Sequence, residues 1–312
     1  MSQRQYAIIG AGAIGGYYGG RLQQAGFDVH FLLKSDYSVV KAEGLKIDSC
    51  KGDFTLPVVK AYNDASQIPP CDVAVVALKA TQNAILSEIL PQILKADGLV
   101  LLLQNGLGAE ETIANIVPNP IIGGLCFICS NKVAPGYIRH LDYGSIKMAQ
   151  YCPDGGLAGI TDQLKGLAED FQKAEIPVNV SEDLLLTRWE KLAWNIPFNG
   201  LSALLEATTT EIMENPQARS LAEALATEVR EGAKANDRAL SPEFISNLIA
   251  RTETMKPYHT SMKLDRDAKR PLEVEAIFGN PLRLAKEKGI ELPRIETLYQ
   301  QLKFVDHKNS QS

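Results

Sequence analysis

Short apolar runs alternate with helix-spaced stretches through the first half of the chain. YAIIG (6–10) ends at glycine and predicts a buried strand, AIGGYYGGRLQQAG predicts a helix ending at Gly26, and DVHFLL (28–33) predicts a second strand. A polar region containing LKIDS and FTLPVV follows. Then come DVAVVAL (72–78) and LVLLL (99–103), two more strand-like runs with the helix-spaced TQNAILSEILPQIL between them. Strands apolar on both faces and alternating with helices predict a parallel sheet covered by helices. PIIGGLCFIC and GYIRHLDYGSIKMAQ predict further strands to about residue 150. The turn-rich YCPDGGLAG (151–159) is a seam. Beyond TDQLKGLAEDFQKA and the short run PVNV (177–180) the pattern is helical, as in ARSLAEALATEVREGAKAND, PEFISNLIARTETM and PLEVEAIFGNPLRLAKEKG. We expect an α/β domain over residues 1–175, an all-helical domain over residues 176–312, and a frayed tail at HKNSQS.

The bulk numbers agree with two globular domains. The chain has 312 residues, 45% hydrophobic and 22% charged, enough to bury a core without disulfides or metals. A net charge of −5 leaves no broad basic field, so nucleic acid is not an expected partner, and an anionic small ligand must be held by a few local cations. Five scattered cysteines do not make a disulfide framework and favour a reducing, cytoplasmic compartment. MSQRQYAIIGAGAIGG runs directly into a glycine-rich turn and reads as mature structure, not as a signal peptide. No uninterrupted apolar run reaches the ~18 residues of a membrane span.

The first candidate chemistry is the turn GAGAIG, residues Gly10, Ala11, Gly12, Ala13, Ile14 and Gly15. Three glycines in this spacing mean little alone. Between a strand and a helix that open an alternating domain, they match what a dinucleotide needs. Gly10 permits a tight turn, Gly12 lets backbone approach a pyrophosphate, Gly15 lets helix pack on strand, and the helix N-terminus offers unpaired N–H groups. At the end of the second strand an NAD site has an acid for the ribose hydroxyls. Here Lys34 stands in that place and suits a 2′-phosphate, hence NADPH, while Asp36 lies two residues on with the opposite charge. Lys79 and Asn105 follow two later strands at their carboxyl ends, where such sheets bind ligands; a surface charge and a turn dipeptide are the plain alternatives.

The second is RWEKLAWNIPFNGLSA (188–203). Lys191, Asn195 and Asn199 fall at i, i+4 and i+8, one stripe of a helix whose other positions look like core. Either the stripe faces water or it lines a site. Pro197, inside the stripe, is expected to kink the helix.

GAGAIG, ALKATQ, LLQNGLG, RWEKLAWNIPFN and SMKLDRDAKRPLEVEAIFG, in this order and spacing, closely resemble the ketopantoate reductase (2-dehydropantoate 2-reductase) family over nearly the whole chain. The resemblance implies a Rossmann N-terminal domain, an all-helical C-terminal domain of the 6-phosphogluconate dehydrogenase C-terminal-like type, and a cleft between them. It implies NADPH as hydride donor to the C2 carbonyl of ketopantoate, giving pantoate on the route to pantothenate and coenzyme A. On this resemblance Lys191 is the general acid, and Asn195, Asn199 and Ser261 contact the substrate. Glu273 is paired with the catalytic site and counts with the cofactor residues. Asn105 and Lys79 take cleft and nucleotide-side positions, and Lys34 stands where an arginine for the 2′-phosphate is common. SMKLD departs from the more usual SMLQD, and Pro197 is a second departure near substrate groups. Reductases of other 2-oxo acids are the alternative activity, and a silent NADPH sensor is the alternative class. A buried lysine beside a carboxylate can be tuned toward neutrality, burial lowering its pKa and the carboxylate raising it.

The remaining features read as structural. Cys126 and Cys129 form a C-x-x-C in an apolar strand with no second pair, so no metal site is expected. His140 reads as an exposed, turn-adjacent structural residue, and Arg266, Lys269 and Arg270 as a loop that either steers an anion or is merely solvated. The helical domain offers a face on which a homodimer could form.

Overall fold

The computed structural model describes residues 4–311; the first three residues of the segment read as a mature N-terminus, and Ser312 of the tail, lie outside the described residues. The chain divides into two compact units. One runs through Gln104 and continues over Ala109–Leu184; the other is Asn105–Gly108 with Leu185–Ser312.

The first unit is built on β1 (Gln5–Ile9), α1 (Ala13–Gln24), β2 (Asp28–Leu32), α2 (Tyr37–Glu43), β3 (Leu45–Ser49), β4 (Phe54–Leu56), β5 (Lys60–Tyr62), β6 (Cys71–Val76), α3 (Leu86–Ile93), β7 (Leu94–Leu102), α4 (Ala109–Ala114), β8 (Ile121–Ala134), β9 (Tyr137–Gln150), α5 (Asp162–Lys173) and β10 (Val178–Ser181). The strands form one sheet in the order β4-β3-β9-β8-β7-β6-β1-β2-β5, with β10 beside β9. The stretch from β8 to β5 is parallel, with Ile8 of β1 level with Phe31 on one side and Val75 on the other. The order reverses at β1, so Gly10 leaves the sheet at the topological switch point.

The central strands β1, β6 and β7 carry apolar residues on both faces because both faces are covered. Tyr6, Ile8, Val73, Val75, Leu99 and Leu101 pack with Leu22 of α1 and Phe171 of α5. The alternate residues Ala7, Ile9, Ala74, Val76, Val100 and Leu102 pack with Leu90 of α3 and Ile113 of α4.

Three local features refine the expected pattern. β8 and β9, 14 residues each, are antiparallel, because the two-residue turn at Pro135 and Gly136 leaves no length for a crossover. The polar region around LKIDS and FTLPVV supplies β3, β4 and β5. The helix expected over TQNAILSEILPQIL splits into a 3-10 turn, Ala80–Ile85, with no buried residue, and α3.

The second unit is helical: α6 (Leu184–Trp194), the π-turn Asn195–Asn199, α7 (Gly200–Leu205), α8 (Thr209–Glu214), α9 (Pro216–Ala235), α10 (Pro242–Glu253), α11 (Ser261–Asp267), a second π-turn Glu275–Gly279, α12 (Asn280–Glu287) and α13 (Pro293–Gln311). Trp189, Ile196, Phe198, Val229 and Phe278 centre its core. The kink expected at Pro197 takes the form of the first π-turn. One extra residue in the turn accommodates the missing N–H, and the helix passes on into α7. The expected frayed tail is instead the end of α13, tied down by Asp306, which accepts from Leu272 N at 2.8 Å, and by Asn309, whose Nδ2 donates to Arg270 O at 3.3 Å.

Candidate active site

The residues singled out from sequence fall into two groups, one in each unit. In the first, Gly10 takes φ +90 and hands the chain to Gly12, the N-cap of α1. Gly12 supplies no side-chain cap, and the first turn of α1 holds no acidic residue, so its leading N–H groups stay available to an anion. A Cβ on Gly12 would meet nothing within 4 Å, whereas one on Gly15 would sit 2.1 Å from Gly10 O and 2.9 Å from Ala77 Cβ. Gly12 therefore faces open space, and Gly15 is the close helix-on-strand contact. This cradle, with Ala11 buried at its base and Ala13 and Ile14 opening the helix, fits a dinucleotide pyrophosphate.

Lys34 is exposed just past β2, and Lys79 is half-buried just past β6, where it precedes the 3-10 turn. Asp36 is buried and ion-paired with Lys132 at 2.8 Å. Burial alone would raise its carboxyl, but hydrogen bonds from Lys132, Ser35 and Gly136 outweigh that and hold it below the usual range. Sequence reasoning missed Gly16 and Gly19, which let α1 approach Ile138, Ile8 and Phe31. Their places one and four residues after Gly15, at the start of the same helix, were the available signal.

In the second unit, four predicted residues form one string. Asn195 Nδ2 donates to Asn105 Oδ1 at 3.4 Å, Asn199 Nδ2 donates to Asn195 Oδ1 at 3.2 Å, and Ser261 Oγ donates to Asn199 Oδ1 at 3.4 Å. Met262 N donates to the same Asn199 oxygen at 3.3 Å, so Asn199 caps the first turn of α11 from another helix. Asn195 and Asn199 are each 2% exposed, so the stripe does not face water. Buried amides persist where they are hydrogen-bonded, and bonds this long are weak enough to be exchanged for a ligand's.

Lys191 lies one turn before Asn195, half-buried, with Nζ 5.9 Å from the centre of the Trp194 ring. Trp194 is itself fixed by its Nε1–H to Thr252 Oγ1 at 3.1 Å. Glu273 is buried just before the second π-turn.

Asn105 belongs to this group because the loop Asn105–Gly108 is gripped by the second π-turn and α12. Leu107 N donates to Ala276 O at 2.9 Å, and Asn280 Nδ2 donates to Leu107 O at 2.5 Å. Gly106, at φ +86, has no room for a Cβ, which would fall 2.2 Å from Ala276 O. Asn280 had no legible signal, because its partner lies 173 residues away. Behind Ser261, Thr260 caps α11 and shares a 2.5 Å hydrogen bond with Ser202, both fully buried.

The lysine of SMKLD is ion-paired with Asp267 at 2.6 Å. Arg266 pairs with Glu206 and bonds the Ala203 carbonyl, and Arg270 pairs with Asp265, while Lys269 is exposed. His140 is corrected from exposed to 1% exposed. Its Nε2 donates to Asp142 O at 3.0 Å and its Nδ1 therefore accepts from Ser49 Oγ at 2.8 Å. Burial holds it below its ordinary pKa, and the Tyr17 ring packs against it at a tilt of 47°, with centroids 4.4 Å apart. Cys126 and Cys129 both lie on β8, Cys129 buried and Cys126 partly so.

A glycine cradle at the switch point of a parallel sheet, followed by a helical unit with a buried amide string beside a lysine, defines a nucleotide-dependent α/β reductase class. The chain belongs to the ketopantoate reductase family: the model described as "Ketopantoate reductase PanE/ApbA" matches residues 6–152 and its C-terminal counterpart matches residues 183–306. It is 57% identical to the 2-dehydropantoate 2-reductase of Nostoc sp., covering 99% of this chain and 97% of that one. Among solved structures it resembles the 2-dehydropantoate 2-reductase of Geobacter metallireducens, with TM-score 0.92, 40% identity, and 96% and 99% of the two chains covered. That of Methylococcus capsulatus follows with TM-score 0.88, 32% identity, and 99% and 98% covered.

Proposed function

We propose that this chain reduces 2-dehydropantoate (ketopantoate) to pantoate with NADPH, in the cytoplasm, as a step toward pantothenate and coenzyme A. The observation that carries the reading is the string Asn105–Asn195–Asn199–Ser261, whose two central amides are buried on the helix run that also bears Lys191. The substrate has a carboxylate, a carbonyl and a hydroxyl; three amides and a hydroxyl offer matching donors and acceptors. When bound, the reduced nicotinamide supplies the hydride for C2. Negative charge then builds on the carbonyl oxygen, and the Lys191 ammonium donates the proton that makes it a hydroxyl. Glu273, buried in the same helical unit, is the carboxylate assigned to this site. Asn195 and Asn199 orient the oxo acid by exchanging their mutual bonds for bonds to it, and Ser261 holds its far end. Around Lys191, Trp194 limits the water that competes for its proton.

The test mixes purified protein with NADPH and ketopantoate and follows loss of reduced-nicotinamide absorbance, with NADH and other 2-oxo acids in parallel. Fast oxidation confined to NADPH and ketopantoate supports the proposal. Turnover restricted to another oxo acid replaces the substrate and keeps Lys191, and NADPH binding with no turnover on any oxo acid points to a sensor.

A further inference from the structure

Two opposite charges end β2: Lys34, exposed, and Asp36, which is 5% exposed. An acid in this region accepts the ribose hydroxyls of NAD and repels the 2′-phosphate of NADP, so its state bears on cofactor choice. Among the described residues, every partner of the Asp36 carboxylate is a donor. Lys132 Nζ lies 2.8 Å from Oδ1 and 3.0 Å from Oδ2, Ser35 Oγ donates to Oδ1 at 2.9 Å, and Gly136 N donates to Oδ2 at 3.4 Å. The carboxylate is thus used up inside the protein.

Lys132 comes from β8, 96 residues away in sequence. Two residues earlier on that strand, Ser130 Oγ donates to the carbonyl of Ala13, the first residue of α1, at 3.3 Å. This part of β8 therefore runs beside the mouth of the glycine turn. The hairpin turn supplies Gly136 as well, whose carbonyl accepts from Lys46 N at 2.8 Å. The β8–β9 hairpin closes over Asp36 from one side while Ser35 holds it from the other.

We infer that Lys132 determines the preference for the phosphorylated dinucleotide without touching it, by neutralising and sequestering Asp36 so that a 2′-phosphate meets Lys34 alone. The inference rests on the NADPH reading above. It makes Lys132 a specificity residue acting through Asp36, and it assigns a role to a hairpin that only pairing across the sheet brings to this end.

The experiment measures dissociation constants for NADPH and NADH by titration calorimetry on the full-length wild type, Lys132→Met, Asp36→Asn and the double variant. Lys132→Met leaves one uncancelled negative charge near the phosphate, and we expect the NADPH:NADH affinity ratio to fall roughly tenfold. In the double variant the ratio returns to the wild-type value, and the orphaned carboxylate that would weaken folding is gone too. A ratio unchanged in Lys132→Met overturns the inference. So does a double variant as poor as the single one, which would mean that Lys132 contacts the phosphate itself. A wild type that binds neither dinucleotide overturns the cofactor reading, and this inference with it; a wild type that binds both equally overturns the preference alone.

Discussion

Asn199→Ala tests the amide string most directly. The side chain makes three hydrogen bonds, to Asn195, to Met262 N and to Ser261 Oγ, at 3.2, 3.3 and 3.4 Å, in a position 2% exposed. Truncation strips α11 of a cap, a loss of roughly 0.5–2 kcal/mol. It also leaves Asn195 Oδ1 buried without its donor, about 1–3 kcal/mol more. The helical unit should lose about 2–4 kcal/mol, read as a lower urea midpoint by circular dichroism. Ser261 loses its anchor, so KM for the oxo acid should rise roughly 10–100-fold, while the dissociation constant for NADPH stays put. Asn199→Asp separates the two effects. It keeps an acceptor at the N-terminus of α11, where negative charge is favoured, and so retains more stability. It sets a carboxylate against Asn195 Oδ1 and an anionic substrate, so its kcat/KM should fall below that of the Ala variant. An Asn199→Ala protein with unchanged midpoint and KM would refute the argument.

Gly15→Ala should abolish measurable NADPH binding, since its Cβ would fall 2.1 Å from Gly10 O and force the turn open; calorimetry with folding checked by circular dichroism reads this. Lys191→Ala should lower kcat roughly 10²–10⁴-fold with NADPH affinity intact, and near-normal turnover would remove the general-acid assignment. His30 and His140 are both held below the ordinary 6.5 by burial. Above that value both states carry neutral histidines and stability does not depend on them. As pH falls below about 6.5 the unfolded chain takes up protons that the folded one resists. Stability should then drop by at most about 1.4 kcal/mol per pH unit for each histidine, until the folded rings protonate. Urea midpoints between pH 7.5 and 5 test this, and the drop should shrink in His140→Asn.

The features legible in sequence were those written in local spacing. GAGAIG between an apolar run and a helix marked the glycine turn that opens α1, and Lys191, Asn195 and Asn199 at i, i+4, i+8 marked the stripe, because both patterns are set by the geometry of one element. Even Pro197 announced a local irregularity, though not that a π-turn would absorb it. The tertiary structure alone decided which distant groups meet. Asn105 follows a strand of the sheet yet joins the helical unit, because Ala276 and Asn280 bind both polar groups of Leu107. The pairing of β8 with β9 buried His140 and brought Lys132 to Asp36. Periodicity records which face of an element is apolar, but a hydrogen bond between side chains a hundred residues apart leaves no period. It exists only once chain pairing has brought its donor and acceptor within reach.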